Sequence, residues 1–330
     1  MAPMIIISKE QTESFRKFID THKTFLICGH KDPDGDCVSS CLGLAAILDH
    51  LKKPYVLLSA GPFKRTEIRK FAPKFTNEVP FMTQEERNSC GLLMTDCSEI
   101  MRLGELEGDI KGFDTFIVDH HKTADASAPN CIIDPTSPAA ACLVQQLLEN
   151  IAGPLTREQA ETLFFGLSTD TGFFRFLGTD SSEVFKSASR LVEAGANPRQ
   201  AYDEITSGKA WSTRKLLGIM LDRAEKHCDG RLIVTWETLE DTKKWGQEGR
   251  DSDAFYRLML EVEGVEAVLF LRQDTEYTCT LGLRSKSTCD VSQIAQKFGG
   301  GGHKNASGGS TEGKIDTLLP QIIKEFSRVL

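Results

Sequence analysis

The sequence predicts an α/β protein: a mostly parallel sheet flanked by helices, followed by a smaller α/β C-terminal domain. Three observations predict it. Short apolar runs such as Phe25-Leu26-Ile27-Cys28, Leu92-Leu93-Met94 and Phe116-Ile117-Val118 have the length of buried strands. They alternate with longer amphipathic stretches of helical period, the pattern of strands joined by crossover helices. Polar clusters follow several of these runs, where ligands bind in such sheets, beyond the carboxyl ends of the strands. At 330 residues the chain is long for one core, so two domains are expected. They are residues 1–190 and 215–330, joined by a connector at 191–214.

Glu10 to Asp20 reads as an opening amphipathic helix. The strand Phe25–Cys28 runs into Gly29-His30-Lys31-Asp32-Pro33-Asp34-Gly35-Asp36, where Pro33 and Gly35 force a tight loop. Cys37 to Leu51 is a helix, with Val38, Cys41, Leu42, Leu44, Ala45 and Leu48 on one side and Asp36 as its expected cap. Tyr55–Leu58 is a strand. Leu92–Thr95 is another, ending at Asp96, and Phe116–Val118 leads into Asp119-His120-His121. Cys131–Ile133 precedes helices at Ala139–Asn150 and Arg157–Ser168, the second leading to Asp170. Phe173, Phe174 and Phe176 behind it read as core, with Arg175 among them free for a polar contact. Ser182–Ala194 is a helix that Gly195-Ala196-Asn197-Pro198 breaks, and Tyr202–Ile205 is a helical part of the connector. The second domain is expected to have strands at Leu232–Trp236, Val265–Arg272 and Tyr277–Arg284. Its helices are expected at Asp253–Leu260, Val291–Phe298 and Ile315–Val329, with Gly299-Gly300-Gly301-Gly302-His303 as the link between the last two.

A net charge of −8 argues against broad adhesion to DNA or membranes, which takes a basic surface. No stretch is apolar enough for a membrane span, and the N-terminus lacks a basic signal-peptide region. The ten cysteines form no C-x-x-C pair and mostly sit in apolar contexts, as buried thiols in a reducing, cytoplasmic compartment would. His22, His50 and His227 stand outside any motif and read as surface residues.

The candidate ligands of a metal are His30, Asp34, Asp36, Asp96, Asp119, His120, His121 and Asp170. A capped turn explains one Asp of the first loop, not a His and two Asp. A carboxylate and two imidazoles in succession at a strand tip are equally hard to explain as packing. Five carboxylates at one sheet edge repel one another and raise their pKa values, and divalent cations remove that cost. Carboxylate with some imidazole suits Mn²⁺, with Mg²⁺ or Co²⁺ admitted. With no Cys among the ligands, a structural zinc site is disfavoured. So many carboxylates point to two metals sharing a bridging Asp. Such a pair, roughly 3.5–4 Å apart, holds a hydroxide at neutral pH and neutralises charge developing on phosphorus. In the second domain, four successive glycines let backbone N–H groups approach a phosphate. His303 and Arg284 add charge-assisted bonds there. Between Arg284 and Lys304 four cations face one anion, Asp290.

His30-x-x-x-Asp34-x-Asp36, the lone Asp96, Asp119-His120-His121 and Asp170 resemble, in order and spacing, the four motifs of the DHH phosphoesterase superfamily. Leu283-Arg284-Ser285 and Gly299–His303 look like the glycine-rich GGGH form of its DHH-associated C-terminal domain. The resemblance covers nearly the whole chain and, by size and layout, is nearest the oligoribonuclease (nanoRNase)/pAp-phosphatase branch. It implies a bilobal enzyme with a cleft between the lobes. That enzyme would degrade very short RNA and linear dinucleotides such as pApA to mononucleotides, and pAp to AMP. It implies that His30 and Asp34 hold one metal, that Asp36, His120 and Asp170 hold the other, and that Asp96 bridges both. Asp119 would orient the ligand imidazole of His120, and His121 would face the substrate phosphate or protonate the leaving oxygen. Arg284 joins His121 and Asp119 as the catalytic set. Substrate contacts are expected from His121, Arg284, Ser285, Gly300, Gly301, Gly302, His303 and Arg175. A cyclic-dinucleotide phosphodiesterase or a single-strand DNA exonuclease of the same superfamily is the enzymatic alternative. A nucleotide-binding sensor without turnover is the non-enzymatic one. The acidic balance favours short substrates over long duplexes. A homodimer is admitted on general grounds, without a legible interface.

Overall fold

The computed structural model describes residues 7–121, 124, 130–286 and 289–330. The chain divides into two compact units, Met1–Gly208 and Lys209–Leu330.

The first unit is built on five strands: β1 (Thr24–Cys28), β2 (Tyr55–Leu58), β3 (Cys90–Thr95), β4 (Asp114–Asp119) and β5 (Cys131–Ile133). All pair in parallel, in the order β2-β1-β3-β4-β5. The helices are α1 (Lys9–Thr21), α2 (Gly35–His50), α3 (Gln84–Asn88), α4 (Ala140–Ala152), α5 (Arg157–Asp170), α6 (Ser182–Glu193) and α7 (Pro198–Thr206). The continuous apolar strands follow from burial on both faces. Phe25, Ile27, Leu93, Phe116 and Val118 point into the main core under α1, α2, α4 and α5. Leu26, Cys28, Leu92 and Met94 point the other way, onto Leu103, Ile110 and Phe113. The mostly parallel α/β architecture expected from the sequence is the one observed.

Two local readings are corrected. The side-chain cap of α2 is Asp34, whose Oδ1 accepts the Cys37 N–H at 3.1 Å. Asp36 lies within the first turn and is turned inward. His22 is buried rather than exposed: its ring packs on Phe18 at 4.5 Å and pairs with Asp114 at 3.3 Å, because α1 ends against the sheet there. Residues 191–214, read as a partly helical connector, contain α7 and the adjoining ends of the helices on either side. Asn197 caps α7 through the N–H groups of Arg199 and Gln200, and Ala201 of α7 enters the main core.

The second unit runs α8 (Trp211–Asp222), β6 (Glu225–His227), β7 (Leu232–Glu237), α9 (Leu239–Trp245), α10 (Ser252–Leu260), β8 (Ala267–Gln273), β9 (Thr278–Ser285), α11 (Val291–Lys297), β10 (Gly301–His303), β11 (Ala306–Glu312) and α12 (Ile315–Phe326). Its strands form one mixed sheet, β10-β11-β9-β8-β7-β6, in which only β7 and β8 pair in parallel. One face packs on α11 and α12 through Leu269, Leu271, Leu281 and Leu283. The other packs on α8 and α10 through Val268, Phe270 and Ile233. The glycine segment is not a mere link between helices: it enters an antiparallel hairpin with β11.

Candidate metal centre

In a sheet of order 2-1-3-4-5 the connections diverge between β1 and β3, which opens a crevice at the carboxyl ends of the strands. The candidate ligands converge on that edge. His30, Asp34 and Asp36 follow β1, Asp96 follows β3, His120 and His121 follow β4, and Asp170 closes α5.

Asp96 is the hub. Its Oδ2 lies 3.3 Å from His30 Nε2, and its Oδ1 lies 3.3 Å from His120 Nε2 and 3.8 Å from His121 Nδ1. Around His30, Asp34 Oδ1 stands 3.8 Å from Nε2. Around His120, Asp170 Oδ2 stands at 3.4 Å and Asp36 Oδ2 at 3.8 Å. Both rings are anchored from behind. His30 Nδ1 sits 2.8 Å from the Lys31 carbonyl and His120 Nδ1 3.1 Å from the Ser137 carbonyl. A backbone acceptor at Nδ1 leaves Nε2 to the cluster, the arrangement that orients metal-binding imidazoles.

Asp36 has two tasks. It is fully buried, and its oxygens accept the N–H groups of Ala140 (2.6 Å) and Ala141 (2.8 Å). It thereby caps α4, whose own N-cap, Ala139, has no side-chain oxygen to offer. Asp119 differs from expectation. Its Oδ1 holds Nδ1 of His121 at 2.8 Å and accepts the N–H of His120 at 2.8 Å. It thus orients His121, while the Ser137 carbonyl holds the ring of His120.

The electrostatics match crowded carboxylates. Burial, then the charges of Asp96 and Asp170, push Asp36 well above the usual carboxylate range. Burial, then Asp96 and Asp34, push Asp170 up to about 6. Burial works to depress both imidazoles, yet Asp34 and Asp96 push His30 up to about 12, and Asp96 and Asp36 push His120 up to about 10. Burial likewise opposes the charge on Asp34, but its bonds to His30 and to the Cys37 N–H bring it down to about 2.

The donor set fits divalent cations. Asp96 is 2% exposed, and its Oδ1 accepts no hydrogen bond despite the two imidazoles beside it. Three groups each place their ligand atoms within 4.8 Å of one another: His30 with Cys37 and Asp96, Asp96 with His120 and His121, and Asp36 with His120 and Asp170. Cys37 is the member that sequence reasoning missed. The available signal was its position three residues after Asp34, which brings it back to the same end of the helix.

Apart from His121, the expected substrate contacts each have local surroundings of their own. Arg175, in the turn after α5, is occupied locally: its Nε donates to the Gly172 carbonyl at 3.0 Å and its guanidinium sits 5.3 Å from the Phe176 ring centre. Phe173 and Phe174 pack against the core as expected, whereas Phe176 is 70% exposed. In the second unit the Arg284 guanidinium lies over the buried Tyr256 ring at 4.6 Å, with Asp253 at 3.9 Å. It borders a cavity of about 380 Å³ that Arg250, Arg272, Gly301 and Ser307 also line. The Ser285 hydroxyl is buried and donates to the Cys289 carbonyl at 2.6 Å, so it holds the loop rather than facing a ligand. Gly300 and Gly302 are required by close backbone approach: a Cβ would lie 2.6 Å from the Gly308 carbonyl oxygen at the first and 2.7 Å from the Ala306 carbonyl oxygen at the second. Gly301 has open space where a Cβ would be, and His303 is exposed at the end of β10. Among the described residues no helix is long and apolar enough to cross a membrane.

Comparison with known proteins places this geometry. The DHH family, N-terminal domain, matches residues 24–167, and the DHHA1 domain matches residues 242–330. The chain is 32% identical over 309 residues to the bifunctional oligoribonuclease and PAP phosphatase NrnA of Thermus thermophilus, covering 92% of this chain and 90% of that protein. It is 22% identical to the NrnA of Bacillus subtilis, covering 91% and 93%. An exopolyphosphatase-related protein from Bacteroides fragilis shares the fold, with a TM-score of 0.79 at 23% identity over 99% of both chains. A relative this similar along nearly its whole length, with both domains matched in order, shows that the chain belongs to the DHH family, as a hydrolase carrying a DHHA1 domain.

Proposed function

We propose that the protein hydrolyses short oligoribonucleotides and linear dinucleotides to mononucleotides, and pAp to AMP, using two divalent cations, manganese foremost. The observation that carries this reading is the division of the Asp96 carboxylate, one oxygen toward His30 and the other toward His120. His30, Asp34 and Asp96 would hold one cation, and Asp36, Asp96, His120 and Asp170 the other. When bound, such a pair supplies the Lewis acid that polarises a phosphate ester and activates water. Loading would displace protons from the two imidazoles.

The chain's own groups supply the rest. Asp119 fixes the His121 ring through Nδ1, and the His121 side chain is one-third exposed, so Nε2 is placed to pass a proton to a leaving oxygen. Arg284, held over the Tyr256 ring, is available to grip a phosphate in two-pronged fashion, with His303 and the backbone of Gly301 as further donors. Residues 1–190 would then carry the chemistry and residues 215–330 the grip on the rest of the substrate. The similarity to proteins named oligoribonuclease and PAP phosphatase supports this substrate class.

The test is a substrate series with Mn²⁺: a 5′-phosphorylated RNA dimer, a 24-mer, pAp and a cyclic dinucleotide, followed by release of mononucleotide or phosphate. Fast cleavage of the dimer and dephosphorylation of pAp are expected. Cleavage of the 24-mer at the dimer's rate would sink the short-substrate reading. Tight binding of all four without hydrolysis would make the protein a sensor.

A further inference from the structure

One of the ten cysteines stands among nitrogen and oxygen donors. Cys37 is 3% exposed, yet its Sγ lies within 4.8 Å of ligand atoms of both His30 and Asp96. The neighbouring buried thiols, Cys28, Cys41 and Cys97, enter no such group among the described residues. The local sequence makes room for it. A Cβ at Gly29 would sit 2.3 Å from Cys37 Sγ, so only a bare glycine lets the sulfur rise to the loop carrying His30. The sulfur's contacts there are to the His30 carbonyl oxygen at 3.8 Å and to the thiol of Cys41. Asp96, 2% exposed, turns its other oxygen, Oδ2, to His30 Nε2 at 3.3 Å on this side, so imidazole, carboxylate and sulfur meet around one point.

We propose that Cys37 is a sulfur ligand of the cation held by His30 and Asp96, giving that position a bias toward softer divalent ions (Co²⁺, Fe²⁺, Zn²⁺) over Mg²⁺. The inference rests on the two-cation reading above and deepens it. Coordination breaks the S–H bond, releases its proton to solvent and forms a metal–sulfur bond, with no change of oxidation state. Carboxylate and imidazole alone would leave the position hard to intermediate, and one thiolate shifts the selectivity. The two cation positions would then differ in metal preference, since among the described residues the groups around His120 contain no sulfur.

The experiment loads the full-length, metal-stripped protein with Co²⁺ and records its absorption spectrum. Visible cobalt bands together with a near-ultraviolet sulfur-to-cobalt charge-transfer band are expected. The charge-transfer band should vanish in both Cys37→Ser and Cys37→Ala while cobalt still binds, and should persist in Cys41→Ala. The preference for Zn²⁺ over Mg²⁺, measured as a ratio of dissociation constants, should fall by roughly tenfold or more in Cys37→Ser. X-ray absorption of the zinc-loaded wild type needs no variant and should show a sulfur scatterer at about 2.3 Å. Cobalt bound with visible bands but no charge-transfer band, and zinc with no sulfur neighbour, would overturn the role of Cys37 and leave the two-cation reading standing. A charge-transfer band unchanged in both Cys37 variants would overturn it as well. Failure of cobalt to bind at all would overturn both.

Discussion

Asp96 occupies a left-handed backbone conformation, φ 57°, directly after β3. Side chains other than Asn and Asp resist that region, so the position selects for a short polar residue before any chemistry is considered. Asp96→Asn therefore separates backbone from charge: it keeps the fold and removes the anion shared by both clusters. Its Mn²⁺-dependent hydrolysis should fall at least about a hundredfold, since even groups behind a metal ligand cost 10–100-fold when lost. Mn²⁺ should raise the melting temperature of the wild type, as binding to the native state alone must, and leave that of Asp96→Asn almost unmoved. A steady-state assay and melting curves with and without Mn²⁺ check both. The ligand spacing was legible in the sequence because all the polar groups but Asp170, which ends α5, follow a strand that can be recognised by its apolar run. The partner of Asp119 was not. His120 and His121 are equivalent neighbours in one dimension, and only the backbone beyond β4 turns His121 toward the carboxylate and His120 toward Ser137. Cys37 was hidden for a similar reason: its approach to His30 depends on an absent side chain at Gly29.

Among the elements, the hairpin of β10 and β11 was the hardest to foresee. Ala306-Ser307-Gly308-Gly309-Ser310-Thr311-Glu312 has only Thr311 among the branched and aromatic side chains that mark strands. It pairs along its whole length with β9 because glycines let backbones close up. A Cβ at Gly309 would come within 2.5 Å of the Gly300 Cα, and one at Gly300 within 2.6 Å of the Gly308 carbonyl oxygen. The four-glycine run therefore mixes two requirements that a sequence cannot separate, and substitution can. Gly300→Ala and Gly309→Ala should each lower stability by about 1–3 kcal/mol through overpacking, visible as earlier unfolding in urea. Gly301→Ala has open space and should unfold like the wild type. If the cavity beside Arg284 receives the substrate, Gly301→Ala should still raise KM for the RNA dimer with little change in kcat. An unchanged KM in that variant would remove the segment from the substrate site and leave it a structural hairpin. The longer helices and central strands were easier: α5 and α6 each begin with the expected residue, α5 where a capping box of Thr156 and Gln159 coincides with the periodicity and α6 on its strong apolar periodicity.

For the whole molecule, the decisive feature is that each unit closes its own core. Every member of the clusters beneath the six-stranded sheet lies between Leu216 and Leu330, and all six strands find their partners within the same unit. The clusters around the parallel sheet end at Ile205. Lys209–Leu330 falls within the usual size of a domain of roughly 100–150 residues. A fragment spanning it should fold by itself, with one cooperative urea transition that circular dichroism and fluorescence report at the same midpoint. The donors of the metal centre, from His30 to Asp170, all belong to Met1–Gly208. The two fragments should therefore divide cleanly in calorimetric titration with Mn²⁺: the first binds it and the second does not. Neither alone should hydrolyse the RNA dimer at the rate of the intact chain, because the first lacks Arg284 and His303 and the second lacks every carboxylate of the centre. Full activity in the isolated first fragment would confine the whole reaction to the parallel-sheet unit and reduce the glycine hairpin to scaffolding. Manganese binding by the second fragment would break the assignment of both cations to the residues around Asp96.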